Sequence, residues 1–400
     1  MVDKSEFLAL MKPEALALLD QIEYGEKADV VALVSRLRAA GHDAATVAAV
    51  LSQAKLRRRA NNKFGEFADR MLFTEAGLEQ ATRLSVAALH AGRFEAAGLD
   101  RIADLGCGIG AESVAMASLG LSVDAYEIDE VTAAIASFNL AGFDSVKVIN
   151  DDASGANLDS YDALWFDPAR RELGGPRREQ TKRKFNPADY SPNYDWVLEQ
   201  ATKKPTGVKL GPGHPHEAIP EEAEAQWVSV SGDLVECTLW FGAVARSDVA
   251  RSALLLTEKA KHEFVSDSFD AIKAPLGSLG DFVYEPDNAI IRSHLVGELA
   301  QTLGANAFAP EIAYLTSSSQ LETPWLKAYR VIDEMAFDRK KLKAYLRDKN
   351  IGILEIKKRG SDVVPEVLRK EMQLKGENAA TLIITRVGDA HRVLVTEAIR

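Results

Sequence analysis

The stretch 101–110, RIADLGCGIG, constrains this chain more than any other. Apolar Ile102 and Ala103 lead into Asp104-Leu105 and then into glycines at 106, 108 and 110, after which AESVAMASLG carries apolar residues at helical spacing. The pattern predicts a strand, a tight turn and a helix start. Glycine admits positive φ and lets a ligand approach the turn with no β-carbon in the way. A glycine turn can also be a plain strand-to-helix connection, so the neighbouring strands decide the matter. The next one, SVDAYEID, places Glu127 roughly 20 residues beyond the glycines, the offset at which an acidic side chain grips ribose hydroxyls. A third, SVKVIN, ends in Asp151-Asp152-Ala153, and a fourth, YDALWF, ends in Asp167-Pro168-Ala169-Arg170. Polar strand ends on one edge of a parallel sheet mark the place where open α/β sheets bind ligands, here one bearing adenosine.

Taken together, DLGCGIG, YEID, NDDA and FDPAR resemble the seven-stranded S-adenosylmethionine-dependent methyltransferase domain. The dinucleotide spacing G-x-G-x-x-G is absent, because Ala111 follows Gly110. The resemblance implies S-adenosylmethionine as cofactor, with Asp104 leading the loop, Glu127 on the ribose, Asp152 on the adenine amino group, and Gly106, Gly108 and Gly110 giving room to the methionine end. Residues 72–82 resemble the pre-strand motif with which RNA cap guanine-N2 methyltransferases and their relatives close over that end, which would make Thr74 a cofactor contact; the other reading is a helix cap. Asp167-Pro168 is similar to the turn with which base methyltransferases hold an exocyclic amine. Those enzymes continue with Pro and an aromatic residue, whereas this chain has Ala169 and Arg170. A guanidinium can stack on a base or hold a phosphate, so Asp167, Pro168 and Arg170 are the catalytic candidates. The bland alternative is that Asp167-Pro168 only ends a strand.

The rest of the chain reads as follows. Residues 1–71 form an N-terminal helical domain, with apolar residues three and four apart, Gly41 as a helix stop and Asp43 as the next cap. Lys55, Arg57, Arg58, Arg59 and Lys63 make a basic helix face, either solvated or facing substrate. Residues 72–245 form the methyltransferase domain, whose last two strands make a hairpin at Ser231-Gly232-Asp233. Seven of the fifteen residues from 170 to 184 are basic, in a loop broken by Gly174, Gly175 and Pro176. Such a loop suits phosphates, which makes Arg171, Arg177, Arg178 and Lys182 substrate-binding candidates. Residues 246–323 read as a connecting region. Residues 324–400 read as helix, strand, helix, strand, strand, a small α+β unit. It resembles the THUMP-like domain that ends a family of bacterial methyltransferases, with residues 354–360, LEIKKRG, carrying the likeness. THUMP domains proper bind RNA, so the resemblance implies RNA as partner and Lys357, Lys358 and Arg359 as contacts.

Charge agrees with that division. The net charge of -11 is uneven: residues 324–400 hold 17 Lys and Arg against 11 Asp and Glu, leaving the other 323 residues at -17. A basic segment on an acidic body fits a polyanion-facing module or, equally, a solvated Lys-rich one. No apolar run approaches the ~20 residues of a membrane helix, and the N-terminus lacks a signal-peptide segment, so a cytoplasmic protein is expected. Cys107 and Cys237 are too few for a disulfide framework. His214 and His216 lack further ligands at metal spacing, so no metal is expected. The whole predicts an α/β protein: a seven-stranded Rossmann-like methyltransferase sheet, an N-terminal helical region and a C-terminal THUMP-like α+β domain. The expected activity is S-adenosylmethionine-dependent methylation of an RNA base nitrogen. The alternatives are a small-molecule or protein methyltransferase, or a non-catalytic RNA-binding protein that keeps the cofactor pocket.

Overall fold

The computed structural model describes residues 4–22, 24–25, 29–170 and 189–399. The chain divides into two compact units, Met1–Leu210 with Trp240–Ala245 and Gly211–Leu239 with Arg246–Arg400.

The first unit begins with helices α1 (Lys4–Leu10), α2 (Pro13–Leu19), α3 (Val30–Ala39), α4 (Ala44–Phe64), α5 (Glu75–Gln80) and α6 (Leu84–Ala96). Asp29 and Asp43 cap α3 and α4 by accepting from Ala32 N and Thr46 N, and Gly41 follows α3 with φ +96°. Ala49, Val50, Leu56, Ala60 and Phe64 of α4 are buried among Leu10, Leu19, Leu72 and Phe73. Then come β1 (Arg101–Leu105), α7 (Ala111–Ser118), β2 (Ser122–Tyr126), α8 (Glu130–Leu140), β3 (Val146–Ile149), β4 (Ala163–Phe166), the short pair β5 (Ala169–Arg170) and β6 (Tyr190–Ser191), α9 (Tyr194–Ala201) and β7 (Thr206–Leu210). β2 and β4 flank β1 in parallel, with Asp104 opposite Ala125 and Trp165, and β7 lies parallel to β4. The chain therefore changes direction across the sheet at β1, and the carboxyl ends of β1, β2 and β4 line up there. That is the switch point at which doubly wound sheets bind ligands.

The second unit supplies β8 (Glu224–Val230), most of β9 (Asp233–Phe241), β10 (Arg251–Leu256) and β11 (Lys261–Ser266). Within the first unit the strands lie in the order β7-β4-β1-β2-β3, and within the second β10 lies between β11 and β8. The hairpin of β8 and β9 is not the last strand pairing here: β10 pairs in parallel with β8, and β11 antiparallel with β10. Both β10 and β11 come from the region read as a connection. The remainder of that region enters a second sheet through β12 (Phe282–Pro286), α10 (Asn288–Arg292), α11 (Val296–Leu303), β13 (Asn306–Ala307) and β14 (Leu315–Ser317).

β15 (Leu326–Ala336), α12 (Arg339–Asp348), β16 (Ile351–Lys358), α13 (Pro365–Met372), β17 (Asn378–Val387) and β18 (Ala390–Ala398) complete a second sheet in the order β13-β14-β12-β15-β18-β17-β16. The predicted helix-strand-helix-strand-strand order holds, with β16 parallel to β17 across α13. β15 precedes it unannounced, because along LKAYRVIDEMA only Tyr329 is buried and no apolar alternation marks the strand. Leu342, Leu346, Leu368 and Met372 of the helices are buried with Ile356, Leu382 and Val393 of the strands. Among the described residues no helix is long and apolar enough to cross a membrane.

Candidate active site

The glycine bend is pinned by its backbone. Gly106 N and Cys107 N both donate to Tyr126 O, at 3.1 and 2.9 Å, which holds the bend against the end of β2. Gly106, Gly108 and Gly110 have φ of +109°, +56° and +91°, a region that side chains with a Cβ rarely adopt. Their surroundings differ. A Cβ on Gly106 would stand 3.3 Å from the carbonyl oxygen of Asp167, and one on Gly110 would meet Leu140 Cδ1 at 2.9 Å. At Gly108 it would meet no described residue within 4 Å. Gly106 thus lets the bend approach the end of β4, Gly110 lets α7 start against α8, and Gly108 faces open space.

The carboxylates around the bend are held unequally. Asp104 is fully buried; Ser113 Oγ donates to its Oδ2 at 2.6 Å, and its Oδ1 has no partner among the described residues. Burial pushes this carboxyl up to about 8 against the Ser113 hydrogen bond, with the charge of Glu112 adding to the rise. Glu127 is half-buried and accepts from Gly108 N at 3.1 Å through Oε2 and from Asp129 N at 2.8 Å through Oε1. Burial is the largest influence on it and leaves it raised as well, against the pull of those two backbone donors. Next to it the side chain of Ile128 stands 62% exposed, a large apolar group in water beside a carboxylate. Asp152 is exposed, and its Oδ1 accepts from Ser154 N at 2.9 Å and Ser154 Oγ at 2.8 Å in the turn after β3. Thr74 is buried at the start of α5, where its Oγ1 accepts from Gly77 N at 2.8 Å as the helix cap.

At the end of β4, Asp167 is half-buried and Pro168 buried. Lys209 Nζ donates to Asp167 Oδ2 at 2.6 Å and to Gln80 O at 3.3 Å. Lys209 was not among the residues singled out from the sequence. Its signal is a lysine inside an apolar strand, TGVKL, whose other positions are all buried. Lys63 has a related place: its Nζ donates to the carbonyls of Leu78, Glu79 and Ala81, each at 2.8 Å. The basic helix face is therefore largely consumed within the fold. Arg57 is buried and donates to Met71 O at 3.0 Å and Asp20 Oδ1 at 2.8 Å, Arg58 reaches Gly25 O at 3.0 Å, and Arg59 pairs with Glu75.

Asp104, the three glycines, Glu127 and Asp167 are thus brought together at one sheet edge. Arg170 lies in β5, opposite Tyr190, but its side chain, together with Arg171, Arg177, Arg178 and Lys182, lies outside the described residues. Lys357, Lys358 and Arg359 belong to the second unit. There Lys357 Nζ pairs with Glu285 Oε2 at 2.7 Å and sits over the Tyr329 ring, while Arg359 reaches Glu285 at 4.0 Å and lies over Tyr314. Burial is the largest single influence and disfavours the Lys357 ammonium, yet the hydrogen bond and charge of Glu285 together with Tyr329 outweigh it and leave the group above its ordinary value. Lys358 is exposed.

Comparison with known proteins follows the same lines. Residues 326–398 match the family described as THUMP domain-like, and residues 3–60 one described as a domain of unknown function (DUF8688). Two Mycobacterium tuberculosis proteins, from strains CDC 1551 / Oshkosh and ATCC 25618 / H37Rv, are both named uncharacterised S-adenosylmethionine-dependent methyltransferases. Each is 31% identical over 343 residues, covering 83% of this chain and 91% of its own. The chain belongs to the S-adenosylmethionine-dependent methyltransferases. The methyltransferase also shares its fold with a Porphyromonas gingivalis W83 protein whose crystal structure carries a provisional methyltransferase name; the two match over 99% of this chain and 98% of that one, with a TM-score of 0.72 at 19% identity. The cofactor is S-adenosylmethionine, and the bend suits it. The buried, unpartnered Asp104 Oδ1 calls for a donor, and the open space at Gly108 admits one.

Proposed function

We propose that this methyltransferase modifies RNA at a base nitrogen, with Asp167 and Pro168 holding the acceptor amine. The observation that carries the reading is the meeting of β4 with the glycine bend, where the Asp167 carbonyl lies against Gly106 and the Asp167 carboxylate is held by Lys209. When bound, the cofactor supplies a methyl group on a sulfonium, and displacement there needs alignment more than covalent help. Glu127 would take the ribose hydroxyls on lone pairs its two backbone donors leave available, Asp152 the adenine amino group and Ile128 the flat face of the base. Asp104 would receive a proton donor at Oδ1, beside the room left by Gly106, Gly108 and Gly110, while Thr74 shapes the start of α5 over the bend.

An exocyclic amine is a poor nucleophile because its lone pair is delocalised into the ring. Two acceptors on its N–H groups favour the pyramidal form, and the end of β4 offers a carboxylate and a main-chain carbonyl. For the RNA backbone, the terminal module offers Lys340, Lys341 and Arg347 of α12, Arg369 and Lys370 of α13 and Lys358 of β16, all exposed. Arg170, Arg171, Arg177, Arg178 and Lys182 would add phosphate contacts beside β4. A small-molecule or protein acceptor is the second reading, and what favours it is that Glu285 already occupies Lys357 and Arg359.

The test is transfer of tritiated methyl to fractionated total RNA, followed by digestion to nucleosides. Label in a methylated base nitrogen is the expected result; label only in protein or small molecules overturns the RNA reading. Asp167→Ala should lower the rate by roughly a hundredfold while S-adenosylhomocysteine affinity stays within about twofold. Equal loss of affinity would make Asp167 a structural residue.

A further inference from the structure

Resting on that reading of Asp167, we infer that Lys209 is a positioning residue of the transfer reaction, tying the acceptor's carboxylate to the last turn of α5. The four carbonyls that end this helix, at residues 78–81, all receive lysine protons: Lys63 takes those of Leu78, Glu79 and Ala81, and Lys209 takes that of Gln80. Helix-end carbonyls need such donors, but capping alone does not explain Lys209. Lys63 already serves three of the four, and it sits close enough to Lys209 that burial and then the Lys209 charge hold its ammonium down to about 8. A second cation there carries an electrostatic cost, and what it gains is Asp167 at 2.6 Å.

The remainder of α5 shows why that link matters. A Cβ on Gly77 would fall 2.5 Å from Ile109 Cγ2, so the helix lies directly on the residue between Gly108 and Gly110. One short helix therefore touches the cofactor bend through Gly77 and the acceptor's anchor through Lys209. The bond to Oδ2 also restrains rotation of the Asp167 carboxylate. Alignment to a few tenths of an ångström is what in-line transfer requires. Lys209 sets it without touching the reacting atoms.

The test uses the full chain, tritiated cofactor and fractionated total RNA, with Lys209→Met, the uncharged donor Lys209→Gln, and Lys63→Met as a control that caps the same turn without reaching Asp167. Lys209→Met should lower kcat about tenfold or more, with S-adenosylhomocysteine affinity within twofold. In both Lys209 variants the acidic limb of the kcat profile should move up by roughly one pH unit, because a carboxylate that loses its neighbouring cation ionises later. Lys63→Met should lower Tm and leave that limb in place. Lys209→Gln keeps an uncharged N–H donor on a side chain one bond shorter, so its shift is readable even where Lys209→Met folds poorly. Wild-type kcat and an unmoved limb in Lys209→Gln, with Asp167→Ala inactive, would reduce Lys209 to a cap and overturn the inference. Full transfer by Asp167→Ala would instead overturn the reading of Asp167 beneath it.

Discussion

Asp104 on β1 and Lys357 on β16 are both charged residues on strands, and the fold surrounds them in opposite ways. Around Asp104 it leaves one carboxylate oxygen buried with no partner. Around Lys357 it sets Glu285, Glu355 and the Tyr329 ring. The first arrangement is strained until something donates to it; the second is complete. A buried acceptor without a donor costs on the order of 1–3 kcal/mol, and such a cost persists in a fold where binding relieves it. A charge already satisfied by its own chain has little left to offer a partner. The two units thus differ in what they do with charge: the sheet edge keeps some of its hydrogen-bonding capacity open, whereas the terminal module closes much of its own and presents the rest on its helices.

The largest effect expected from this difference is in the pH dependence of stability. Asp104 has its carboxyl raised by burial from the ordinary 3.8 to about 8, so the folded state favours the protonated form more than the unfolded chain does. Its contribution is fully present below pH 4 and is lost as pH rises towards 8, with a slope of up to about 1.4 kcal/mol per pH unit. Asp104→Asn keeps the shape and removes the titration, so urea midpoints measured from pH 4 to 8 should fall less steeply than in the parent. Identical slopes would mean that burial does not raise the Asp104 carboxyl, and the contrast would fail. Lys357→Met comes next. Deleting the cation leaves Glu285 half-buried with only the distant Arg359, and because the pair is about one-fifth exposed the loss should be about 1–2 kcal/mol in stability, with RNA affinity little changed. A drop in affinity without a drop in Tm would show that the pair opens to bind.

How legible each region was in the sequence follows from the same contrast. The glycine bend, Glu127 and Asp167 were readable because their chemistry sits in a contiguous pattern: a positive-φ turn admits few residues, and a strand end has one place to point. Lys209 escaped, and Lys63 was read only as part of a basic helix face, because their roles depend on elements remote in sequence, β7 with β4 and α4 with α5, and periodicity carries no such pairing. The Arg57 cluster misled for the complementary reason. A run of cations on a helix looks the same whether water or a buried carbonyl receives it, and only the packing of α4 against Met71 and Asp20 decides. β10 and β11 were hidden in a region with no motif, although KHEFVS alternates in exposure as an edge strand should. The LEIKKRG likeness identified the terminal module correctly, yet two of its three cations, Lys357 and Arg359, are held by Glu285.

That last point gives the smallest effect and the sharpest use of the comparison. Exposed cations that meet phosphates release counterions, so each contact removed lowers the slope of log affinity against log salt by about 0.7 to 0.9, while a cation buried in an ion pair contributes nothing to that slope. Replacing Lys340, Lys341 and Arg347 on α12 with glutamine should therefore flatten the salt dependence of RNA binding by one to three such steps, with unchanged Tm and an unchanged rate at saturating RNA. Lys358→Gln should add a further fraction, and Lys357→Met none. Fluorescence anisotropy across a salt series reads all of these on one axis. If Lys357→Met flattened the line and the α12 variant did not, the division between cations the fold consumes and cations it presents would fail, and the β16 strand rather than the helices would be the surface that meets RNA.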